Sequence, residues 1–439
     1  MAAKHSSAWL GTSATNTAIL LCGLATGVLS ARLLAPEGRG ALAAVLFWPQ
    51  LLTSIASLSL PSALIFRRGR PDVDPDSVAA TGAWLALALA ALAALAGSLL
   101  LPFLLRDSGR SLAQLYLLAF VPFNFLALAM LALDQSDMRF ARYNLTRLLP
   151  SSVYLLGLLV LWGLDAVSVA SLVWASWLGT ALTAIMRLYH SHDDLRARPS
   201  LSEARRLIAF GARLHGAALL AVLLAHADRL IVVTFWDDAS LGLYVVALTF
   251  ANAGLNVVTG SFNTLLLPRL AQAENAQAQR RIMGQTLRYA TLLLTAGTAV
   301  LLLICPWLLP FMFGHAYGSA VGICLVLLVA YLPTALRQVI VHGLSGTGHW
   351  RPRILAHGLA LATFAVVVWP LAGRLGVLGI PTALLIANSI ALAYLLVFLR
   401  RQLALSSSEC WGLSPATVRQ VWGHGRALVK GARPAVANG

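Results

Sequence analysis

Residues 83–103 read AWLALALAALAALAGSLLLPF, a run of 21 residues without a charged side chain. About 20 apolar residues carry an α-helix across the hydrocarbon core of a bilayer. Similar runs recur along the 439 residues of the chain, of which 59% are hydrophobic and 11% are charged. Because a soluble domain carries about 25% charged residues, the sequence predicts an all-α polytopic membrane protein.

The apolar runs predict about twelve transmembrane helices. They span residues 8–31, 41–66, 79–105, 112–133, 148–164, 166–188, 205–235, 241–267, 286–313, 319–341, 353–373 and 376–400. The short loops between them leave no room for a catalytic domain, and the chain has no Walker lysine, paired catalytic carboxylates or metal-ligand spacing. We therefore expect a protein that is not an enzyme and that uses no cofactor and no metal.

The basic residues are distributed unevenly between the predicted loops. With a cytoplasmic N-terminus, the cytoplasmic segments hold 24 of the 32 Lys+Arg residues and the opposite face holds six. This bias predicts that both termini lie in the cytoplasm. The net charge of +16 is then a mark of topology and of contact with anionic lipid, and it does not indicate a nucleic-acid partner.

Short matches between the two halves of the chain indicate an internal duplication. Gly40 precedes Arg67 by 27 residues in the second helix, and Gly242 precedes Arg269 by the same 27 in the eighth, at an offset of 202. The tetrapeptide Leu-Leu-Pro-Phe closes the third helix and recurs 208 residues later at the end of the ninth. Two repeats of six helices each account for these offsets.

The duplication predicts how the chain is organised. An even number of helices per repeat keeps both repeats in one orientation, and substrate sites of such transporters lie at the interface between repeats. The predicted segments are an N-terminal six-helix lobe at 1–188, a cytoplasmic linker at 189–204, a C-terminal six-helix lobe at 205–400 and a basic cytoplasmic tail at 401–439.

A polar stripe runs along the eighth helix at helical spacing. Its members are Thr249, Asn252, Asn256, Thr259 and Asn263. By the offset of 202, the second helix carries Gln50, Ser54 and Ser57 at equivalent positions. Unpaired polar groups are costly inside a membrane, so these side chains either hydrogen-bond neighbouring helices together or line a hydrated cavity that binds substrate.

The seventh helix carries four ionisable side chains that are candidates for binding substrate. They are Arg213, His215, His226 and Arg229. Arg229 and its counterpart Arg32 are suited to an anionic substrate, because a guanidinium group binds phosphate oxygens in a bidentate manner. The alternative is that both arginines anchor the chain at the outer headgroups. Asp228 is a possible ion-pair partner of Arg229.

The histidines and the arginines at helix ends leave further alternatives. His215 or His226 could take up protons, since small shifts move histidine across neutral pH, or each could be a hydrogen-bonded packing residue. Arg67 and Arg269 end helices on the predicted cytoplasmic side. They are either topology determinants or contacts for an anionic substrate at the mouth of a cavity.

Several short motifs together resemble a known family. They are SARLLAPEGRG at 30–40, DRLI at 228–231, LGLYVVA at 241–247, LPRL at 267–270 and LGVLGI at 375–380. In these motifs the chain is similar to the polysaccharide biosynthesis flippases of the multidrug/oligosaccharidyl-lipid/polysaccharide (MOP) superfamily. The superfamily also contains multidrug-and-toxin extruders and lipid II flippases.

The resemblance implies a V-shaped pair of lobes with a cavity between helices one, two, seven and eight. It implies a lipid-linked (undecaprenyl-pyrophosphate) oligosaccharide as substrate, moved across the bacterial inner membrane by alternating access for O-antigen, capsule or exopolysaccharide synthesis. The implied partners are membrane lipids, a coupling ion (H⁺ or Na⁺) and a polysaccharide polymerase.

The main alternative is a multidrug or small-metabolite exporter of the same superfamily. Such extruders place a cation-binding carboxylate in the first helix, whereas this chain has no acidic residue between Ser6 and Ala31. Lipid II flippases carry two further helices that this chain lacks. Both departures favour the oligosaccharide branch.

Overall fold

The computed structural model describes residues 2–71, 73–105, 107–191, 195–253, 275–346 and 350–402. The regular secondary structure of these residues is entirely helical, as the sequence predicts, because a helix satisfies every backbone polar group within one segment. The helices are α1 (Ala2–Ala56), α2 (Leu60–Arg68), α3 (Pro75–Leu104), α4 (Asp107–Ser136), α5 (Phe140–Gly163), α6 (Val169–His190), α7 (Leu201–Phe235), α8 (Asp238–Ala253), α9 (Ala276–Phe313), α10 (Ala320–Gly346), α11 (Trp350–Leu375) and α12 (Gly379–Gln402), with 3-10 turns at His315–Tyr317 and Gly376–Leu378.

The first two predicted helices, 8–31 and 41–66, differ from the helices observed. Helix α1 runs through both and is kinked at Ala35, whose φ of 56° and ψ of 177° are not helical. The kink has a local cause, because the ring of Pro36 disfavours the helical conformation of the residue before it.

A second interruption divides the predicted helix 41–66 near its C-terminal end. Helix α1 ends at Ala56, and α2 begins at Leu60. Leu58 and Ser59 between them have φ values of 48° and 51°. These values lie in the left-handed region, which residues other than glycine rarely adopt. The break lies against α7, because a side chain at Gly211 would overlap the carbonyl oxygen of Leu58.

Nine segments of the described chain are long and apolar enough to cross a membrane. Two of them, Gly11–Ala56 with 46 residues and Trp350–Gln402 with 53 residues, are each about twice the length that one crossing needs. The protein is therefore multi-pass. The count of twelve crossings and the cytoplasmic termini stay predictions.

The chain divides into two compact units that differ from the predicted lobes. The first unit comprises Met1–Val246 with Pro310–Gly318, and the second comprises Ala247–Leu309 with Ser319–Gly439. Helix α7 belongs to the first unit because it packs against α1, α2 and α3. The division does not fall at 189–204, and the lobes at 1–188 and 205–400 with a tail at 401–439 stay predictions.

Buried ion pairs join helices within the first unit. Arg67 at the end of α2 forms a bidentate pair with Glu203 in the first turn of α7, with Nη2 to Oε1 at 2.9 Å and Nε to Oε2 at 3.2 Å. In the same unit Arg187 of α6 donates to Asp134 of α4 at 2.7 Å, and both side chains are at most 2% exposed. Arg67 is thus paired within the protein. The sequence does not indicate this role, because it predicts Arg67 only as a topology determinant or as a contact for an anionic substrate.

The two glycines that mark the duplication, Gly40 and Gly242, pack against each other in the first unit. A side chain at Gly40 would overlap the carbonyl oxygen of Asp238, four residues before Gly242. A side chain at Gly242 would likewise overlap the carbonyl oxygen of Pro36, four residues before Gly40. The contact is reciprocal, as expected where equivalent elements of two repeats cross near a two-fold axis.

We predict that Gly242→Ala lowers the stability of the protein, because the added methyl group meets backbone atoms that no side-chain rotation can move. Overpacking of this kind costs about 1–3 kcal/mol, measured as a lower melting temperature of the purified protein. Gly216→Ala is the matched control, since a methyl group there meets nothing within 4 Å. A control that loses as much stability as Gly242→Ala would contradict the crossing.

A second prediction concerns Asp137, which lies between α4 and α5 and accepts from Arg68 Nε at 2.7 Å and from Arg68 Nη2 at 3.0 Å. Burial by itself would raise the pKa of the Asp137 carboxyl, but the hydrogen bond and charge of Arg68 and the charge of Arg139 hold that pKa below its ordinary value. The pair therefore stabilises the fold fully above the ordinary aspartate pKa of about 4. Its contribution is lost as the pH falls through the lower pKa of the folded state.

We expect Asp137→Asn to lower the melting temperature at pH 7 by the equivalent of about 1.5–3 kcal/mol, the value of a hydrogen bond to a charged group. The difference from the wild type should vanish in strongly acidic buffer. Glu37→Gln, at an exposed carboxylate, should leave the melting temperature unchanged at both pH values. A difference for Asp137→Asn that is independent of pH would refute the role of its charge.

Candidate functional site

Three side chains from α1 and α7 form a cluster, the Arg229 cluster, which comprises Phe47, His226 and Arg229. Arg229 Nη2 lies 2.7 Å from His226 Nδ1, and its guanidinium carbon lies 5.8 Å from the centre of the Phe47 ring. The His226 ring meets Phe47 edge to face, with ring centres 5.9 Å apart. The first unit therefore brings together two of the predicted site residues around an aromatic ring.

The hydrogen bonding of the cluster determines its charge. A guanidinium group can only donate hydrogen bonds, so His226 Nδ1 accepts and the ring hydrogen lies on Nε2. The ring is then neutral, and the single positive charge belongs to Arg229. Arg229 Nε is buried without a hydrogen-bond partner, while the side chain as a whole is half-buried. The cluster can accept an anion.

Asp228 is not the ion-pair partner of Arg229, contrary to the possibility raised by the sequence. Its Oδ2 accepts from the hydroxyl of Tyr244 in α8 at 2.8 Å, and its Oδ1 accepts from the backbone N–H of Arg229 at 2.8 Å. Asp228 is 3% exposed and Tyr244 is fully buried. Tyr244 therefore holds the Asp228 carboxylate, and within the part of the chain that the structure describes the Arg229 guanidinium forms no ion pair.

Arg32 is placed differently from Arg229, although the duplication pairs them. Its Nε donates to the carbonyl of Met312 at 2.7 Å, and its Nη2 donates to the carbonyl of Phe311. These carbonyls end α9, where backbone acceptors lack helical partners and a cation is favourable. The guanidinium of Arg32 thus caps a helix, whereas that of Arg229 hydrogen-bonds to the His226 ring and leaves its Nε without a partner.

The two serines of the predicted stripe, Ser54 in α1 and Ser57 just after it, donate to backbone carbonyls of their own segment. Ser54 Oγ donates to the carbonyl of Gln50 at 2.9 Å, and Ser57 Oγ donates to the carbonyl of Ser54 at 3.0 Å. The Gln50 side chain is exposed, and both serines are half-buried. None of these bonds joins α1 to another helix, so they do not support the alternative in which the stripe holds helices together.

The remaining predicted residues are partly described. Arg213 is exposed, and His215 is half-buried with its Nδ1 enclosed and without a hydrogen-bond partner. Asn252 is half-buried in α8, in the second unit. Asn256, Thr259 and Asn263 lie outside the described residues. Their assignment to a substrate site stays a prediction.

Two residues of the site were missed by the sequence reasoning. Phe47 occupies the position equivalent to Thr249, but a search for polar stripes passes over an aromatic residue. Tyr244 belongs to the LGLYVVA motif at 241–247 and is assigned no role of its own from the sequence. The signal for it is that a buried tyrosine hydroxyl needs a hydrogen-bond partner, and Asp228 is the carboxylate within reach.

A cavity of about 630 Å³ lies beside the kink of α1 in the first unit. Apolar side chains such as Val45 and Val233 form much of its wall, together with Trp236 and the carboxylates Glu37 and Asp238. Two carboxylates repel a phosphate group, so this cavity does not suit the anionic ligand that the Arg229 cluster suits.

Comparison with protein families gives one match over most of the chain. A family model described as "Polysaccharide biosynthesis protein" matches residues 29–322. This range includes α2 to α8 and the crossing of Gly40 with Gly242. No curated protein matches the sequence.

Solved structures share the fold at low sequence identity. The lipid II flippase MurJ in an inward closed conformation has a TM-score of 0.74 and 15% identity, over 89% of this chain and 87% of that one. A multidrug-resistance MATE transporter of the MOP superfamily in an inward-facing conformation has a TM-score of 0.74 and 16% identity, over 88% and 94%. A MOP superfamily transporter from Pyrococcus furiosus has a TM-score of 0.64 and 15% identity, over 90% and 94%.

The contacts of Asp228 lead to a prediction about stability. Tyr244→Phe leaves a buried carboxylate oxygen without its donor, so we expect a loss of about 1–3 kcal/mol. Arg229→Gln should cost less stability than Tyr244→Phe, since only the backbone N–H of Arg229 contacts Asp228 and the substitution leaves that contact in place. Thermal unfolding of the purified variants measures both changes. A larger loss for Arg229→Gln than for Tyr244→Phe would show that the Asp228 carboxylate depends on the guanidinium after all.

Proposed function

The chain belongs to the family of polysaccharide biosynthesis proteins within the MOP superfamily, and we propose that it is a flippase that translocates a lipid-linked oligosaccharide. The substrate we propose is an undecaprenyl-pyrophosphate-linked oligosaccharide, moved across a bacterial inner membrane for O-antigen, capsule or exopolysaccharide synthesis. The family and the fold support a transporter of this superfamily. The substrate class rests on the chemistry of the Arg229 cluster.

The observation that carries the proposal is Arg229, an arginine in a helix long and apolar enough to span a membrane, which has no carboxylate partner among the described residues. Ionisable residues at such positions are costly and mark substrate pathways by default. A pyrophosphate group offers several oxygens to the planar guanidinium fork, and such pairs are strong where water is scarce. The Phe47 ring adds an attraction for the cation that keeps Arg229 extended beside it.

The sugar part of the substrate would meet the polar residues of α1 and α8. Ser54 and Ser57 keep acceptor lone pairs while they donate to their own helix, and the Gln50 amide offers both donors and an acceptor. Asn252, and the predicted Asn256, Thr259 and Asn263, extend the same chemistry along α8 and the chain that follows it. Hydroxyl-rich ligands pair well with such amides and hydroxyls.

Alternating access between two six-helix lobes is the mechanism that we propose. A proton is one candidate for the coupling ion, because protonation of His226 at Nδ1 would remove the acceptor of Arg229 and place two positive charges side by side. Na⁺ is the other candidate, and a polysaccharide polymerase is the partner expected downstream.

The second candidate function is a multidrug or small-metabolite exporter, which the matches to MATE transporters favour. The absence of any acidic residue between Ser6 and Ala31 argues against it. The available charge at the Arg229 cluster is positive, and it would repel cationic drugs.

Deletion of the gene tests the function. We expect complete lipid-linked repeat units to accumulate in the inner leaflet and surface polysaccharide to be lost, measured by extraction of the lipid-linked intermediates and by gel analysis of the polysaccharide. Unchanged polysaccharide with altered drug tolerance would instead establish the exporter.

Complementation of the deletion tests the site. Arg229→Gln should restore at most about a tenth of wild-type polysaccharide, since a hydrogen bond to a charged group is worth about 1.5–3 kcal/mol and about 1.4 kcal/mol corresponds to a factor of ten. Arg229→Lys should restore part of it, because lysine keeps the charge but not the fork. Arg374→Gln, at an exposed arginine of α11, should restore all of it. Full activity of Arg229→Gln at equal membrane level would reject the site and leave the function standing.

A further inference from the structure

The second unit carries an unusual excess of basic residues. It holds 14 of the 32 Lys+Arg residues of the chain but only two of the 16 Asp+Glu residues, Glu274 and Glu409. Residues 275–408, which include α9 to α12, contain no carboxylate side chain. A cation buried among these helices therefore has no acidic partner within the described part of its own unit.

Arg337 of α10 is such a cation. It is 4% exposed and lies among apolar core residues that include Leu336, Val339 and Ile340. Its Nε donates to Asn388 Oδ1 of α12 at 2.9 Å, while its Nη1 is buried without a hydrogen-bond partner. A neutral amide satisfies one of the five donors of the guanidinium, so most of the desolvation cost of the charge is not offset.

Further cationic and titratable groups lie around Arg337. Arg353 and His357 of α11 flank Ala356, which packs in one core with the apolar residues of α10 named above, and His342 follows Arg337 along α10. Arg353 Nε is also buried without a partner. We define the α10–α11 cluster as Arg337, His342, Arg353, His357 and Asn388. It combines two arginines and two histidines without a carboxylate.

The rings of the two histidines are fixed by their own helices. His357 Nδ1 lies 2.7 Å from the carbonyl of Arg353, and His342 Nδ1 lies 2.8 Å from the carbonyl of Gln338. A carbonyl only accepts, so Nδ1 carries the hydrogen and Nε2 is left for another partner. Both imidazoles are therefore oriented, as are binding groups whose rotamers are locked before a ligand arrives.

The position of the cluster along α11 adds to its positive potential. Arg353 lies in the first turn of a helix that begins at Trp350. The N-terminus of a helix carries a partial positive charge, so a basic side chain there is unfavourable unless an anion is present. Backbone N–H groups at a helix N-terminus are themselves suited to bind phosphate.

We propose that the α10–α11 cluster is a binding site for the phosphate group of a lipid, separate from the Arg229 cluster. A phosphate group supplies the negative charge that residues 275–408 lack, and its oxygens match the open donors of Arg337 and Arg353. Arg337 lies in the apolar core of helices long and apolar enough to span a membrane. A phosphate group that reaches Arg337 is therefore expected to be attached to an acyl or prenyl chain, which is itself apolar. The site does not depend on the proposed transport activity.

Binding to the purified full-length protein in detergent micelles tests the proposal, with occupancy followed by native mass spectrometry. The ligands are phosphatidylglycerol, undecaprenyl pyrophosphate, inorganic phosphate and, as a phosphate-free control, diacylglycerol. We expect phosphate-bearing lipids to bind saturably and diacylglycerol to bind at least about tenfold more weakly. Tighter binding of phosphatidylglycerol would identify a membrane lipid as the source of the phosphate, and tighter binding of undecaprenyl pyrophosphate would identify a substrate lipid.

Variants separate the cluster from other basic residues. Arg337→Gln and Arg353→Gln should each weaken phosphatidylglycerol binding by about tenfold or more. Arg351→Gln is the matched control, because Arg351 is exposed, stacks on Trp350 at 5.3 Å and lies two residues and about 200° away from Arg353 on the same turn. Its binding should stay within about twofold of wild type. If Arg337→Gln does not fold, Arg353→Gln and His357→Gln carry the test.

Three results would overturn the proposal. The first is binding of phosphatidylglycerol by Arg353→Gln and His357→Gln as tightly as by the wild type. The second is binding of diacylglycerol as tightly as phosphatidylglycerol, which would indicate a hydrophobic site. The third is inorganic phosphate that binds as tightly as either phosphate-bearing lipid, which would show that the lipid chain is not recognised.

Discussion

The requirement that every polar group inside a bilayer find a partner governs this structure. The backbone meets it by forming helices throughout the described residues. Hydroxyl side chains meet it by donating to carbonyls of their own helix, as Thr53 and Thr291 do. A charged side chain needs more than one such contact to offset its desolvation, so the partners of each buried charge indicate the role of that residue.

Buried charges in the first unit fall into two classes. Arg67 with Glu203 and Arg187 with Asp134 are closed pairs, in which each charge lies against an opposite charge on another helix. Arg229 is open, because Tyr244 and a backbone N–H hold the neighbouring Asp228. Closed pairs of this kind fix helices against one another, whereas an open charge requires a ligand or solvent.

The sequence was most informative about features that repeat along the chain. Apolar periodicity was sufficient for the helical class and for most helix positions, and the spacing of Gly40 and Gly242 identified two residues that meet reciprocally in the structure. The interruptions were missed because they depend on single residues. Pro36 acts on the conformation of Ala35 alone, and the left-handed pair Leu58 and Ser59 lies within a run that is apolar on average.

The hydrogen-bond and ion-pair partners of individual side chains were harder to predict from the sequence than the helices or the repeat. Asp228 and Arg229 are adjacent in sequence, but adjacent positions on a helix point about 100° apart, so adjacency does not make an ion pair. Tyr244 is 16 residues away and became a partner only through the packing of α8 on α7. Arg32 and Arg229 match by sequence, yet the end of α9 supplies carbonyl acceptors for Arg32 alone. A duplicated sequence does not impose a duplicated environment.

The arrangement around Arg229 has a consequence for any anionic ligand. If Asp228 were paired with Arg229, a phosphate group would have to displace a carboxylate that is already desolvated, at a cost comparable to what its own binding yields. Because Tyr244 holds Asp228, the fold keeps a stabilising carboxylate in the core, and the Arg229 guanidinium one residue away hydrogen-bonds to the neutral His226 ring and not to that carboxylate. In the second unit Arg337 also lacks a carboxylate partner among the described residues, but for a different reason: no Asp or Glu occurs between residues 275 and 408. Both routes leave an arginine without a carboxylate partner among the residues that the structure describes, which is the arrangement that our two proposed anion sites have in common.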